Sequence, residues 1–269
     1  PIMIVRIMSP GSSAMPPWLP AVSLPSITKE LGLSVTEAHW VINAYLLSFT
    51  CAVAIAGRLG DLFSRKSYFS AGAILFGCSS LIAALAVDGT MLIAARALQG
   101  MAAAVIFPTS IALITATFAP EERGVAFGYQ TTVGGIFMAS GPLIGGLLTE
   151  TLSWRVIFWI GIPIVIGIAV LLRIIWQPSD DMQRKEASRA ENGLGFAGPA
   201  FLVVGLFGLV TSVMQGPSWG WISLPTLGLF MLGMAMVILF ARRELNYQNP
   251  LLDLSLLRIS EFSPGMTTR

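Results

Sequence analysis

The chain has 269 residues, of which 55% are hydrophobic and only 11% charged, with a net charge of +2 and a mean hydropathy of +0.77. Soluble domains carry roughly 25% charged residues, so this balance belongs to a protein of the lipid bilayer. It excludes a nucleic-acid binder, which needs a basic face against phosphates, and a disordered chain, which needs low hydrophobicity.

Residues 1–27 read as an irregular or truncated first helix, because Pro10, Gly11, Pro16, Pro17 and Pro20 together are hostile to a continuous one. Arg6 precedes some apolar residues, but no clean hydrophobic core and small-residue cleavage site follow, so the segment is no signal peptide. Seven apolar runs come next: Trp40–Ala56, Tyr68–Val87, Met91–Phe118, Val125–Leu148, Val156–Ile175, Phe196–Met214 and Ile222–Phe240. Most have the length needed to cross about 30 Å of hydrocarbon as a helix, whereas barrel strands would be about ten residues of alternating polarity. The expected fold class is an all-α membrane protein. Residues 28–176 form a transmembrane bundle, 177–196 a cytoplasmic linker and 197–241 a two-helix hairpin. Residues 242–269 form a cytoplasmic connector that stops in a polar stretch, so the chain reads as a fragment.

Arg58, Arg65, Lys66, Arg123, Arg173, Arg184, Lys185, Arg189, Arg242 and Arg243 fall on one set of connections, against Lys29 and Arg155 on the other. Positive loops stay in the cytoplasm, which orients the chain and puts Trp40, Trp154, Trp219 and Trp221 in an outer aromatic belt.

Several patterns point away from other chemistry. Cys51 and Cys78 sit inside apolar runs and form no CxxC pair. His39 is the only histidine and has no second ligand near it in sequence. Gly193-Leu194-Gly195-Phe196-Ala197-Gly198 has the spacing of a dinucleotide fingerprint, but it follows a charged linker instead of a strand and lacks the acidic residue about twenty positions on. No metal, nucleotide or other cofactor is expected, and no catalytic pair marks an enzyme.

Three motifs carry a positive signal. Gly57-Arg58-Leu59-Gly60-Asp61-Leu62-Phe63-Ser64-Arg65-Lys66 forms a charged turn between two spans, and it resembles the loop motif of the major facilitator superfamily. Leu62 and Ser64 depart from that motif, which has Arg and Gly there. Leu92 to Ala104 resembles the family's fourth-helix motif at Arg96, Gln99 and Gly100. Arg96 lies about 10 Å into the membrane at 1.5 Å per residue, where a charge either faces a cavity or partner or snorkels outward. Gly128 followed by Gly141-Pro142-Leu143-Ile144-Gly145-Gly146 resembles the fifth-helix signature of the superfamily's antiporters, with Phe137 where they usually have glycine. Gly141 and Gly145 share one helix face, which lets a neighbour approach closely.

The order of the motifs, together with the stretches Leu24–Val41, Thr149–Arg155 and the hairpin, is similar to the fourteen-helix drug:proton antiporter group over roughly Leu24 to Phe262. The resemblance implies a secondary transporter of a bacterial-type cell membrane. It would export hydrophobic or cationic drug-like compounds by alternating access, driven by a proton gradient and conferring antibiotic resistance. Its partners would be lipid, the small-molecule substrate and a missing C-terminal bundle. Asp61 would pin the cytoplasmic end of the bundle, with Arg58, Arg65 and Lys66 arranging the loop. Arg96 would serve coupling, and Gln99, Gly100, Asn43 and Gln130 would line the cavity. The group's usual first-helix Asp has no counterpart before Leu24. The alternative is a non-transporting scaffold, or a half-transporter acting with a second polypeptide.

Overall fold

The computed structural model describes residues 19–175 and 197–246, and every regular element among them is an α-helix. In chain order these are α1 (Leu19–Val22), α2 (Leu24–Leu31), α3 (Val35–Leu62), α4 (Arg65–Ala84), α5 (Gly89–Thr117), α6 (Pro120–Thr151), α7 (Arg155–Ile175), α8 (Ala197–Trp219) and α9 (Leu224–Asn246). The chain divides into two compact units, Pro1–Glu191 with α1 to α7 and Asn192–Arg269 with α8 and α9. Among the described residues, α4, α5, α6, α8 and α9 are long and apolar enough to cross a membrane. The expectations for residues 1–18, for the linker from Gln177 to Glu191 and beyond to 196, and for the connector after 246 lie outside the described residues.

Several helices outrun, at one end or both, the apolar stretches that announced them. The charged turn expected over Gly57 to Lys66 is mostly helix: α3 continues to Leu62, α4 starts at Arg65, and only Phe63 and Ser64 connect them. Likewise α6 begins at Pro120 and holds through Thr151, and α8 reaches Trp219. The physical reason is that an apolar run measures the hydrocarbon crossing, whereas a helix ends where its terminal groups find partners. Ser34 and Glu37 make a capping box on α3, with Ser34 Oγ accepting from the Glu37 N–H at 3.3 Å and the Ser34 N–H donating to Glu37 Oε2 at 2.8 Å. Asp88 Oδ1 accepts from the Met91 N–H at 2.7 Å at the start of α5. Pro120 occupies the first turn of α6, where its missing N–H costs nothing. Gly32 ends α2 at φ +62, a left-handed conformation that suits glycine.

Three clusters make the core of the first unit. Phe69, Ala73 and Phe76 of α4 meet Ala102, Ile106 and Leu113 of α5 and Ile157, Val165 and Ile168 of α7. At the end carrying Arg155, Ile27 of α2, Val41 of α3, Leu92 and Ala95 of α5 and Trp154 and Phe158 close a second cluster. Ile114, Phe118 and Ala126 form a third where α5 turns into α6.

Trp154 corrects the expected aromatic belt. Trp40 is half-buried and Trp219 and Trp221 are exposed, but Trp154 is only 1% exposed and stacks edge-on against Phe158. Its indole N–H donates to Glu30 Oε2 at 2.7 Å. The ring packs inside the protein while its N–H reaches the exposed Glu30 carboxylate, so it does not face the lipid boundary. The neighbouring Arg155 pairs with Glu30 Oε1, donates to the Ala86 carbonyl at 3.0 Å and lies over the Trp154 ring with its guanidinium carbon 4.3 Å from the centroid. The carboxylate thus ties α2 to the start of α7, and the guanidinium it holds reaches the residues just after α4.

The hydrogen bond from Arg155 holds the Glu30 carboxyl below its ordinary value of 4.5, outweighing the opposing desolvation, with Trp154 adding to the effect. A carboxyl whose pKa is depressed on folding stabilises the fold above its unfolded value. The contribution is therefore complete above about pH 4.5 and disappears as pH falls through the lower folded-state value. Glu30→Gln should lower the thermal midpoint at neutral pH and flatten its decline between about pH 5 and pH 3. Parallel melting curves for the two proteins across that range would refute the clamp. Because the Glu30 side chain is 49% exposed, the effect should also weaken in salt.

In the second unit, α8 and α9 cross at glycines. A Cβ at Gly208 would lie 2.9 Å from the Leu229 carbonyl, and one at Gly233 would lie 2.7 Å from the Leu209 nitrogen and 2.8 Å from the Gly205 carbonyl. Small residues let the two backbones touch, which is how helices associate where lipid supplies no hydrophobic drive. Gly220 makes the turn at φ +90.

Candidate functional site

The site grows from α5. Asp88 caps it, and two turns later Arg96 and Gln99 project into the unit, both fully buried. Full burial excludes the snorkelling conformation. Arg96 Nε donates to the Val41 carbonyl at 3.0 Å, and its Nη1 donates to Gln99 Oε1 at 2.8 Å. The guanidinium carbon sits 4.5 Å over the centroid of the Tyr45 ring, whose negative face attracts it. Gln99 Nε2 in turn donates to Ser80 Oγ of α4 at 2.7 Å. The planar guanidinium fork therefore engages α3 and, through Gln99, α4.

Gly100 makes this possible. A Cβ there would fall inside contact distance of Ser48 Oγ and the Tyr45 carbonyl oxygen, and 3.1 Å from the Phe49 nitrogen. The backbones of α3 and α5 thus touch one residue from Gln99. Further along α5, a Cβ at Gly72 would lie 2.8 Å from Val105 Cγ1, so α4 packs directly on that side chain.

The other expected residues occupy separate places. Asn43 is half-buried on α3, two residues from Val41. Gln130 Nε2 donates to Ser110 Oγ at 3.3 Å, and Ser110 lies fourteen residues past Arg96 on α5, about 21 Å away at 1.5 Å per residue. Gly57 and Gly60 face α5 and α4: a Cβ on the first would lie 3.9 Å from Pro108 Cβ, and on the second 3.3 Å from the Tyr68 ring. Arg58 and Asp61 belong to the last turns of α3 and Lys66 to the first turn of α4, while their side chains lie outside the described residues. Ser64 sits at φ −58, ψ 122, where any L-residue is relaxed, so serine in place of the family's glycine carries no backbone strain.

Arg65 and Arg123 meet on the last turns of α5. Arg65 Nη1 donates to the Ala112 carbonyl at 2.7 Å, and Arg123 donates to the carbonyls of Thr115 at 2.8 Å and Phe118 at 3.2 Å. Arg123 satisfies carbonyls of the last turn, and both cations oppose the helix dipole. On α6, Gly141 and Gly145 are buried, Gly128 and Pro142 are exposed, and a Cβ on Gly146 would lie 3.7 Å from Val22 Cγ1 of α1. Ser23 and Thr149 share a hydrogen bond of 2.6 Å beside it.

Sequence reasoning missed Tyr45, Ser80, Glu30 and the positive role of Arg155. Tyr45 had one available signal, an aromatic ring facing the same stripe as Val41 one turn away. Ser80 had none.

Residues 3–257 match the Major Facilitator Superfamily. The tetracenomycin C resistance and export protein of Streptomyces glaucescens is 31% identical over 245 residues, which is 91% of this chain and 44% of that protein. The puromycin resistance protein of Streptomyces alboniger is 38% identical over 232 residues, 86% of this chain and 44% of its own length. The methylenomycin A resistance protein of Bacillus subtilis is 31% identical over 246 residues, covering 90% and 50%. The chain spans about half the length of the curated relatives it matches. Its long apolar helices make it a multi-pass membrane protein of a transporter family. A bundle of such helices and a family match running over nearly the whole sequence have one reading: the chain belongs to the Major Facilitator Superfamily.

Proposed function

We propose that this chain supplies the N-terminal bundle and the inserted hairpin of a fourteen-helix exporter in a bacterial cell membrane, which expels hydrophobic or cationic antibiotics at the expense of a proton gradient. The observation that carries the reading is that relatives matched over 86–91% of this chain are named for resistance to, or export of, tetracenomycin C, puromycin and methylenomycin A. The arginine node supports it, since a fully buried guanidinium in a membrane helix is costly unless it works. In this reading the end carrying Arg65 and Arg123 faces the cytoplasm. The bundle rocks as one body against a second bundle of the same transporter, exposing a midplane cavity to each side in turn. Asp61, on the last turn of α3, pins the cytoplasmic end against the positive end of a helix in that second bundle.

The test is efflux by the intact protein in a drug-sensitive bacterium. Cells should survive higher puromycin, and should clear ethidium at a rate that falls when the proton gradient is collapsed. Asp61→Asn should abolish both effects while the amount of protein in the membrane stays normal. Efflux indifferent to the gradient would rule out proton coupling, and wild-type efflux from Asp61→Asn would rule out the gating role.

A further inference from the structure

We propose that Ser80 of α4, which belongs to none of the motifs above, is a positioning residue for Arg96 and acts through Gln99. Its importance for transport rests on the function proposed above, while the positioning itself rests on geometry alone. Arg96 can only donate hydrogen bonds, so it compels Gln99 to turn Oε1 toward it, at 2.8 Å. That leaves the Gln99 amide nitrogen pointing the other way, where Ser80 Oγ receives it at 2.7 Å. The hydroxyl thus serves as an acceptor, and the polarity of the whole chain is dictated by the charge at its other end. Arg96, Gln99 and Ser80 are all fully buried, so none of the three polar groups has water to fall back on.

The surrounding backbone leaves Gln99 one way to respond if the hydroxyl is removed. Gly100, the next residue, is pressed against the Tyr45 carbonyl of α3, and α4 is pressed against Val105 at Gly72. Both approaches are already at contact. The adjacent Ser79 directs its hydroxyl to the Phe76 carbonyl of its own helix, 2.9 Å away, and not to Gln99. A Gln99 amide stripped of its acceptor must rotate to find another, and in doing so it withdraws Oε1 from Arg96. The guanidinium then loses the contact that keeps its plane on the Val41 carbonyl and the Tyr45 ring. Threonine at position 80 would keep the hydroxyl, whereas alanine would not.

The experiment follows the Arg96 Nε–H by nitrogen-15 arginine labelling of the intact protein in detergent, its signal assigned by its disappearance in Arg96→Lys. Ser80→Ala should speed its exchange with solvent about tenfold, the equivalent of one lost hydrogen bond, and Ser80→Thr should stay near wild type. Gln99→Ala should match Ser80→Ala, and the double variant should add nothing further. Unchanged exchange in Ser80→Ala, or effects of Ser80→Ala and Gln99→Ala that simply sum, would overturn the proposal. In proteoliposomes with an imposed pH gradient and ethidium as probe, Ser80→Ala should shift the pH profile of transport and Ser80→Thr should restore it. A lowered rate with an unmoved profile would make Ser80 merely structural. Wild-type vesicles that ignore the gradient would instead overturn the transport reading, and the exchange rates would still decide the positioning.

Discussion

Gly100→Leu should yield no folded protein, and Gly100→Ala a protein with a sharply lowered thermal midpoint. The added Cβ meets two oxygens of α3, the Ser48 hydroxyl and the Tyr45 carbonyl. A hydroxyl can rotate away, but a backbone carbonyl moves only if the helix does. Forcing atoms into a packed interior costs about 1–3 kcal/mol and occasionally more, against about 1 kcal/mol that alanine returns through its better helix propensity. The loss should therefore prevail even for the smallest side chain. Ser48→Gly should fail to rescue Gly100→Ala, since the carbonyl remains, and recovery of the wild-type melting curve in that double variant would show that the Tyr45 carbonyl is not what requires glycine at position 100. Any displacement of α3 also carries Val41 and Tyr45 away from Arg96, so transport should fall further than stability.

Arg96→Met should separate stability from transport. The side chain is fully buried, and Arg96→Ala would remove its volume along with its hydrogen bonds, at a cost of about 2–5 kcal/mol. Methionine refills most of that space, and replacing a buried charge by an apolar group of similar size is often neutral or favourable. The thermal midpoint of Arg96→Met should accordingly recover well above that of Arg96→Ala, while gradient-driven efflux from inverted vesicles stays absent in both. Arg96→Lys keeps the charge but loses the planar fork, and it should recover neither the geometry at the Val41 carbonyl nor transport. Gradient-driven efflux at the wild-type rate in Arg96→Met would remove Arg96 from the mechanism.

The helices were legible because hydrocarbon imposes a length, and each described apolar run became a helix near its expected position. Their ends were less so. Gly57 to Leu62 read as a turn because it is charged, yet polarity marks the water boundary and not the last hydrogen bond, and the helix carries on until Phe63. At the site, a charge embedded in an apolar run drew attention to Arg96, and the residues three and four beyond it came with the motif. What holds Arg96 from outside its own helix was hidden. Val41 contributes a carbonyl, which every residue has, and Ser80 is one of two adjacent serines in α4, only one of which faces Gln99. Trp154 and Arg155 looked like ordinary residues of an interface because the acid that holds them lies 124 and 125 positions earlier.

That separation constrains how the bundle is made. Translation at about 5–20 residues per second delivers Arg155 some 6–25 s after Glu30. Throughout that interval the Glu30 carboxylate of α2 is uncommitted, and α3 to α6 emerge before the residues that fasten it. The clamp is therefore a late event in biogenesis: it seals a bundle whose middle helices are already present, and a chain arrested before Trp154 leaves α2 unfastened from the start of α7.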